Sequence, residues 1–276
     1  MIQIEQINAV RKFRLARSIF GRGFYFTTAY WVDGMMVDTG CAHTVQELVA
    51  SLKGYQVDHI VNTHSHEDHI AANAALQNIY GADVLAHLKA LPVLAQPKRI
   101  QPLHLYQQLM WGYPDPSRGK AIGDVVETDH HRFEVIHTPG HSLDHICLYE
   151  PDEGWLFSGD LFVSGQDRAL RADYNIWLII ASLKKVAALD ICILFPGSGT
   201  VRQNPHNEII RKIEYLTELG ESFLALYRQG MSYMQIRRKL LGSEMAITYF
   251  TMGHFSGKNL VRSYIEDQPG KEAAGL

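Results

Sequence analysis

Cysteine is scarce in this chain. Its 276 residues include three, Cys41, Cys147 and Cys192, set far apart. An odd, scattered set argues against a disulfide framework and fits a reducing compartment, so a cytoplasmic location is expected. A surplus of one charge is also missing. Lys and Arg number 26 against 29 Asp and Glu, a formal net charge of −3. No global basic surface therefore invites nucleic acid or anionic lipid. No apolar run reaches the roughly 18 residues of a membrane span. The opening MIQIEQINAVRKFRLARSIF lacks an apolar stretch followed by a small-residue cleavage site, and reads as strands. No internal repeat is evident. Histidine is what the chain has instead: 14 residues, several of them tightly clustered.

The first half alternates strand and helix patterns, which points to α/β layering. FYFTTAYWVDGMMVD (24–38) is two β-rich runs joined by Asp33-Gly34, a strong hairpin signal. TVQELVASLKG is helix-like, with Val45, Leu48, Val49 and Leu52 on one face and Gly54 as its stop. A short strand from Val57, a helix from about Asp68 to Tyr80 closed by Gly81, and the strand ADVLAH follow. Residues 92–123 hold five prolines and crowd Tyr106, Leu109, Met110, Trp111 and Tyr113 together, the pattern of a lid-like insertion. Strands return in HRFEVIHT, HICLYE and WLFSGD. Then come a helix over 173–189 and a last strand and loop, ICILFPGSG. From His206 the spacing of Ile209, Ile213, Leu216, Leu219, Phe223 and Tyr227 is helical over some five turns. The expected division is a domain over 1–205 and a helical region over 206–276, with disorder only in the last eight residues or so.

The chemistry concentrates in His64-Ser65-His66-Glu67-Asp68-His69, where the apolar run HIVNT gives way to a helix pattern. Three imidazoles and a carboxylate in six residues converge only if the loop curls around something. Neutral imidazole and carboxylate are ligands for zinc and for divalent manganese or iron. In an extended segment the alternation His-x-His points two rings the same way. His141, in HTPGHSLDH, and Asp160, in LFSGD, each follow a β-rich run, where α/β proteins gather their chemistry. Either one alone reads as an ordinary surface or turn residue. Together, downstream of HSHEDH, they read as further ligands.

THSHEDH, PGHS and SGD resemble the metallo-β-lactamase-fold hydrolase superfamily over about residues 20–200. The resemblance implies an α/β fold, a four-layer αββα sandwich with metals at one edge of the paired sheets. It implies that His64, His66 and His141 hold one ion, that Asp68 and His69 hold a second, and that Asp160 bridges. Asp68 and Asp160 are then the candidate catalytic carboxylates. One or two divalent ions are expected, zinc first, with iron or manganese as alternatives. A hydroxide between the metals would be the nucleophile. Where the family has a further histidine after the last strand, this chain has Ser198. That leaves the second site three protein ligands, a thinner but workable set. His206 and His254 are candidate substitutes. The helical tail is similar to that of the glyoxalase II branch.

Around this centre, Arg168, Arg171 and Tyr174 are candidate substrate contacts with Trp111. Paired arginines can clamp a carboxylate or phosphate. The plainer reading has Asp173 capping the next helix while the arginines pair with acids. Asp38-Thr39-Gly40 reads as a structural turn near the site, and His130, His131, His137 and His145 as having no metal role. Residues 206–276 carry nine Lys or Arg against eight Asp or Glu, a near-balance that argues against duplex binding. The leading expectation is hydrolysis of an ester, thioester or lactone of a small molecule, with no nucleic-acid or membrane partner and an oligomer possible. The alternatives are a phosphodiesterase or ribonuclease and a mononuclear iron oxidoreductase similar to persulfide dioxygenases. A non-enzymatic metal-binding protein is disfavoured, because scaffolding needs neither Asp68 nor Asp160.

Overall fold

The computed structural model describes residues 1–270; the disorder expected of the final residues, from 271 on, lies outside them. Packing divides the chain into two compact units. The first comprises Met1–His137, Asp144–Val163 and Ile191–Asn204; the second comprises Thr138–Leu143, Ser164–Asp190 and the stretch from Pro205.

Two sheets build the first unit. One runs in the order β1 (Ile2–Ile7), β2 (Val10–Ile19), β3 (Arg22–Val32), β4 (Met35–Val37), β5 (His59–Val61), β6 (Asp83–Ala86), β7 (Gly119–Ala121). It is antiparallel as far as β4 and parallel from β4 to β7. The β3–β4 hairpin turns on Asp33 and Gly34, at φ 47° and 79°. Two successive positive φ values match the right-handed twist of the flanking strands, which is why Asp-Gly serves here. The second sheet contains β8 (Val125–Glu127), β9 (Arg132–His137), β10 (Ile146–Glu150) and β11 (Trp155–Gly159), all antiparallel. Strand Ile193–Pro196 lies parallel to β11, and Arg202–Gln203 forms the edge.

The pleat sorts the side chains by period two. Tyr30, Val32, Met35 and Val37 face the second sheet and pack with Phe133, Leu148, Phe157 and Phe195. Ala29 and Met36 face the opposite way, with Phe13, Leu15, Ile60 and Val84, against Leu48, Leu52 and Leu76 of the helical layer. Each fully buried Val, Leu, Ile, Phe or Met among them contributes about 1.5–3 kcal/mol of transfer free energy. The result in this unit is helices, sheet, sheet, with β5 buried and its C-terminal end delivering the histidine loop.

Three expectations shift. The helix expected from Asp68 begins at Asn73 and ends at Tyr80 under the left-handed cap Gly81. The segment read as a lid-like insertion holds helices Leu91–Ala95, Pro97–Ile100 and Leu105–Met110, and its end, β7, is built into the first sheet. The helix expected over 173–189 spans Ile176–Ala187, and Asn175 rather than Asp173 caps it, its Oδ1 accepting from Leu178 N at 3.0 Å.

In the second unit, helix His206–Arg228 buries Ile209, Ile213, Leu216 and Phe223. It packs with Ile176–Ala187 and Gly257–Glu266. Gly220 lets the last of these close in, since a Cβ there would stand 2.5 Å from the Tyr264 ring. Helices Tyr233–Leu241 and Ala246–Phe250 and the strand pair Leu170–Arg171 with Phe255–Ser256 complete the unit. No helix among the described residues is long and apolar enough to cross a membrane. Cys41, Cys147 and Cys192 are in no disulfide.

Candidate metal centre

The HSHEDH segment is loop from end to end, and the turn 38–40 keeps it so. The His69 carbonyl would be the acceptor for Asn73 N in a helix. Instead it receives Thr39 N at 2.6 Å and Thr39 Oγ1 at 3.2 Å. Ala71 N donates to Gly40 O at 3.0 Å, and Ala72 N to Thr39 Oγ1 at 3.2 Å. With these groups taken, helical pairing starts later, and the side chains of His64, His66, Asp68 and His69 are free to turn inward.

Asp38 organises them. Its Oδ1 accepts from Thr63 N at 2.8 Å, and its Oδ2 accepts from the Thr63 hydroxyl at 2.7 Å. The same Oδ2 lies 2.8 Å from His69 Nδ1. A carboxylate can only accept, so His69 Nδ1 is the donor and Nε2 points away from Asp38. The Thr63 hydroxyl has spent its one proton on Asp38. It therefore accepts from His64 Nδ1, 3.0 Å away, and leaves His64 Nε2 as the ligand atom. One buried carboxylate thus fixes the orientation of two imidazoles. Reading Asp38 as a turn residue missed this role; the visible signal was an acid ending an apolar strand on the sheet edge that carries HSHEDH.

Around His69 Nε2 the geometry fits a cation. That nitrogen is buried and makes no hydrogen bond. Asp68 Oδ2 is 3.7 Å and Asp160 Oδ2 3.6 Å from it, too long for hydrogen bonds. Two ligands on one tetrahedral zinc stand roughly 3.3 Å apart, so the spacing fits a shared ion. Donor atoms of His64, His69 and Asp160 all lie within 4.8 Å of one another. The His66 ring meets that of His64 edge-on, centroids 4.5 Å apart. Electrostatics says the same. Burial raises Asp68 to about 7, against the pull of His69 and with the push of Glu67 and Asp160. Burial alone would lower His69, but Asp68, Asp38 and Asp160 outweigh it and hold the imidazole well above its usual range. Three carboxylates ask for positive charge at this point.

Asp160 is positioned from both sides. Its backbone N donates to His145 Nε2 at 3.1 Å, so His145, absent from the ligand clusters among the described residues, holds a candidate ligand in place. Ser198 Oγ donates to Asp160 Oδ1 at 3.3 Å, which places Ser198 beside the carboxylate. Gly197 is required there, since a Cβ would come within 2.7 Å of Asp160 Oδ1 and 2.8 Å of His69 Cε1. Ser65 N donates to Asp144 Oδ2 at 2.9 Å, tying the histidine loop to the SLDH segment.

The remaining candidates fall as follows. His141 lies on Thr138–Leu143, covalently bracketed by His137 and Asp144 of the first unit. Its Nε2 is 3.2 Å from Tyr174 Oη, with ring centroids 4.3 Å apart. Arg171 donates twice to Asp173, at 2.8 and 2.9 Å, and Arg168 donates to the Leu241 carbonyl. Trp111 donates from Nε1 to Tyr25 O at 3.4 Å and meets Tyr106 edge-on. His254 Nε2 stands 3.9 Å from Asp173 Oδ1. Among the described residues, neither His206 nor His254 joins a ligand cluster.

A histidine and aspartate cluster at the C-terminal ends of strands in a two-sheet α/β unit defines a metal-binding enzyme fold. The profile of the Metallo-beta-lactamase superfamily matches residues 22–198, and the chain belongs to that superfamily. Hydroxyacylglutathione hydrolase of Rhizobium etli is 32% identical over 142 residues, 51% of this chain and 47% of the relative. The chain thus spans about half the length of the curated relatives it matches. Atrochrysone carboxyl ACP thioesterase of Aspergillus fumigatus is 26% identical over 187 residues, 66% of this chain and 52% of the relative. A metallo-beta-lactamase family protein of Thermus thermophilus superposes with a TM-score of 0.63 at 18% identity, over 93% of this chain and 92% of that one. The flavodiiron core of a Synechocystis species gives 0.62 at 16% identity, over 80% and 62%. At such identities the likeness is one of fold.

Proposed function

We propose that the chain is a metal-dependent hydrolase of a small-molecule thioester, with esters and lactones as the neighbouring substrate classes. The observation that carries the reading is His69 Nε2, buried without a hydrogen bond and facing the carboxylates of Asp68 and Asp160. The relatives' names, a hydroxyacylglutathione hydrolase and an ACP thioesterase, favour a thioester among the three classes.

By the ligand pattern that the motifs share with the superfamily, His64, His66 and His141 would hold one divalent ion. Asp68, His69 and Asp160 would hold or share a second, with zinc as the first choice for both. Such an ion polarises a scissile carbonyl and makes water a competent nucleophile near neutral pH. The chain's own part is orientation and proton placement. Asp38 keeps the ligand nitrogens of His64 and His69 aimed inward, and His145 and Ser198 hold Asp160. Burial raises the Asp68 carboxyl, and a divalent ion held by it would keep it in the ionised form. Tyr174 and Trp111 are the proposed substrate contacts that present aromatic faces. Arg168 and Arg171 would reach substrate only by leaving the Leu241 carbonyl and Asp173.

The test is elemental analysis of protein purified without added metal, together with a panel of thioester, ester, lactone and phosphodiester substrates. Thioester turnover that disappears with chelator and in His141→Ala supports the reading. Full metal content and unchanged turnover in His141→Ala would overturn the ligand assignment. Serine at 198 favours one further reading, a mononuclear iron oxygenase; tightly held iron and no turnover on any hydrolysable substrate would select it.

A further inference from the structure

Glu67 sits inside the metal motif yet is absent from both ligand clusters. Its side chain is buried, the residue only 2% exposed. Gln107 Nε2 donates to Glu67 Oε1 at 2.8 Å, and Gln101 Nε2 approaches Glu67 Oε2 at 3.3 Å. Both amides come from the 92–123 insertion, some 34 and 40 residues downstream. Gln107 is itself saturated: it is buried, and its Oε1 accepts from His104 N at 2.9 Å, closing the start of helix Leu105–Met110. From that helix the chain runs into Trp111, whose carbonyl accepts from Ala42 N at 2.9 Å. Tyr113 Oη then accepts from Leu103 N at 2.8 Å and folds the segment back on itself.

We propose that Glu67 is a positioning residue that ties the 101–113 segment to the metal loop. Through it the wall made by Tyr106, Trp111 and Tyr113 and the ligands His66 and Asp68 take one fixed relation. Burying a carboxylate costs desolvation, and simple packing at this point would be served by an apolar side chain. Two amide donors aimed at the two oxygens of one carboxylate make a charge-assisted tether instead. Its place between His66 and Asp68 means that any slack in the insertion reaches the ligands on either side. The substrate part of this inference rests on the proposed hydrolase reading; the tether itself does not.

The experiment uses the full chain and four variants: Glu67→Ala, Gln107→Ala, the double variant, and the exchange Glu67→Gln with Gln107→Glu. The first readout is limited proteolysis within 97–113, which needs neither substrate nor metal. Losing a charge-assisted bond should speed cleavage by at least about tenfold in each single variant. The double alanine variant should lose clearly less than the sum of the singles, since the Glu67–Gln107 bond is removed in both; Glu67→Ala alone also loses the Gln101 contact and Gln107→Ala alone the bond from His104 N. The exchange keeps a carboxylate–amide pair with its polarity reversed, and glutamate at 107 can still accept from His104 N; it should restore protection to within about threefold of the wild type. The second readout, on the favoured thioester, is a rise in KM exceeding any fall in kcat, with metal stoichiometry unchanged at saturating metal. Wild-type proteolysis rates in Glu67→Ala, additive losses in the double variant, or an exchange variant no better than the singles would each overturn the tether. If no thioester is turned over, proteolysis still decides the tether, and the hydrolase reading fails separately.

Discussion

At the scale of single residues, Asp38 has the widest reach. It serves Thr63 and, directly or through that hydroxyl, both His64 and His69. In Asp38→Asn one oxygen becomes an NH2 group, so a Thr63 or His69 donor loses its acceptor and the nearby negative charge is gone. Metal affinity should fall about 10- to 100-fold, as for other groups that orient ligands. Titration of the apo-protein with zinc against a competing chelator measures this, and an unchanged affinity would refute the orienting role. Ser198 gives the opposite prediction. Its hydroxyl already reaches Asp160, so an imidazole in Ser198→His should add a neutral nitrogen donor beside the second ion. Metal content after identical dialysis should rise toward two ions per chain. A wild type that already retains two would show that the missing histidine was never needed. The candidate ligands could be picked out in the sequence because their types and spacing are rare in combination. Asp38 and His145 were not, because an acid after a strand and a histidine before one are common, and only the fold brings them to His69 and Asp160.

At the scale of elements, the hairpins and the buried strands could be read directly, since Asp33-Gly34 and the apolar runs obey local rules. The start of the helix after HSHEDH could not. Local pattern allowed a helix from Asp68, but Thr39 and Gly40, some thirty residues away in sequence, take the backbone groups it needed. The strand Gly119–Ala121 was hidden for a similar reason: three residues at a sheet edge carry too little pattern to separate from a loop. One contact between turns of the two sheets gives a pH signature. Asp33 Oδ2 accepts from His130 N at 2.7 Å, and Asp33 Oδ1 lies 2.9 Å from His130 Nδ1. Burial alone would raise Asp33, but hydrogen bonds from Thr128 and His130 bring it below its usual value. The bond to Asp33 raises His130. The Asp33 contribution is present above the ordinary carboxylate value and lost as pH falls through the depressed one. The His130 contribution is full below the ordinary imidazole value and lost as pH rises through the raised one. Both are in force between about pH 4 and 6.5. The stability gap between wild type and Asp33→Asn should therefore be widest near pH 5–6 and shrink at both extremes. Urea midpoints across that range test it, and a gap that does not vary with pH would rule it out.

At the scale of the whole molecule, the helical texture from His206 was readable, whereas its companions were not. Thr138–Leu143 and Ser164–Asp190 group with the tail, because helix Ile176–Ala187 meets the tail's helices. Ile176 N donates to Ser263 Oγ at 3.0 Å, and Trp177 Nε1 to the Tyr264 carbonyl at 3.2 Å. No periodicity in 164–190 announces a partner some ninety residues on. A chain ending at 205 would strip helix Ile176–Ala187 of those partners and expose the apolar face it turns toward them. Such a truncation should bind a hydrophobic dye and aggregate, and lose substrate binding more than metal. A soluble, fully active 1–205 fragment would show the tail to be dispensable.

That threading also sets an order in time. The chain leaves the first unit and returns to it twice before Asn204, each time laying down a piece of the second. The earlier piece meets the later one, where Asn175 N donates to Gly140 O at 2.9 Å and Ser182 Oγ to Pro139 O at 2.8 Å. During synthesis helix Ile176–Ala187 must wait for its further partners, the helices after Pro205, to emerge. By then every strand of the first unit can already be paired. The apolar face of that helix is thus the last to be covered, and a ribosome-stalled chain ending near 205 should hold a folded first unit with residues 164–190 still open to protease.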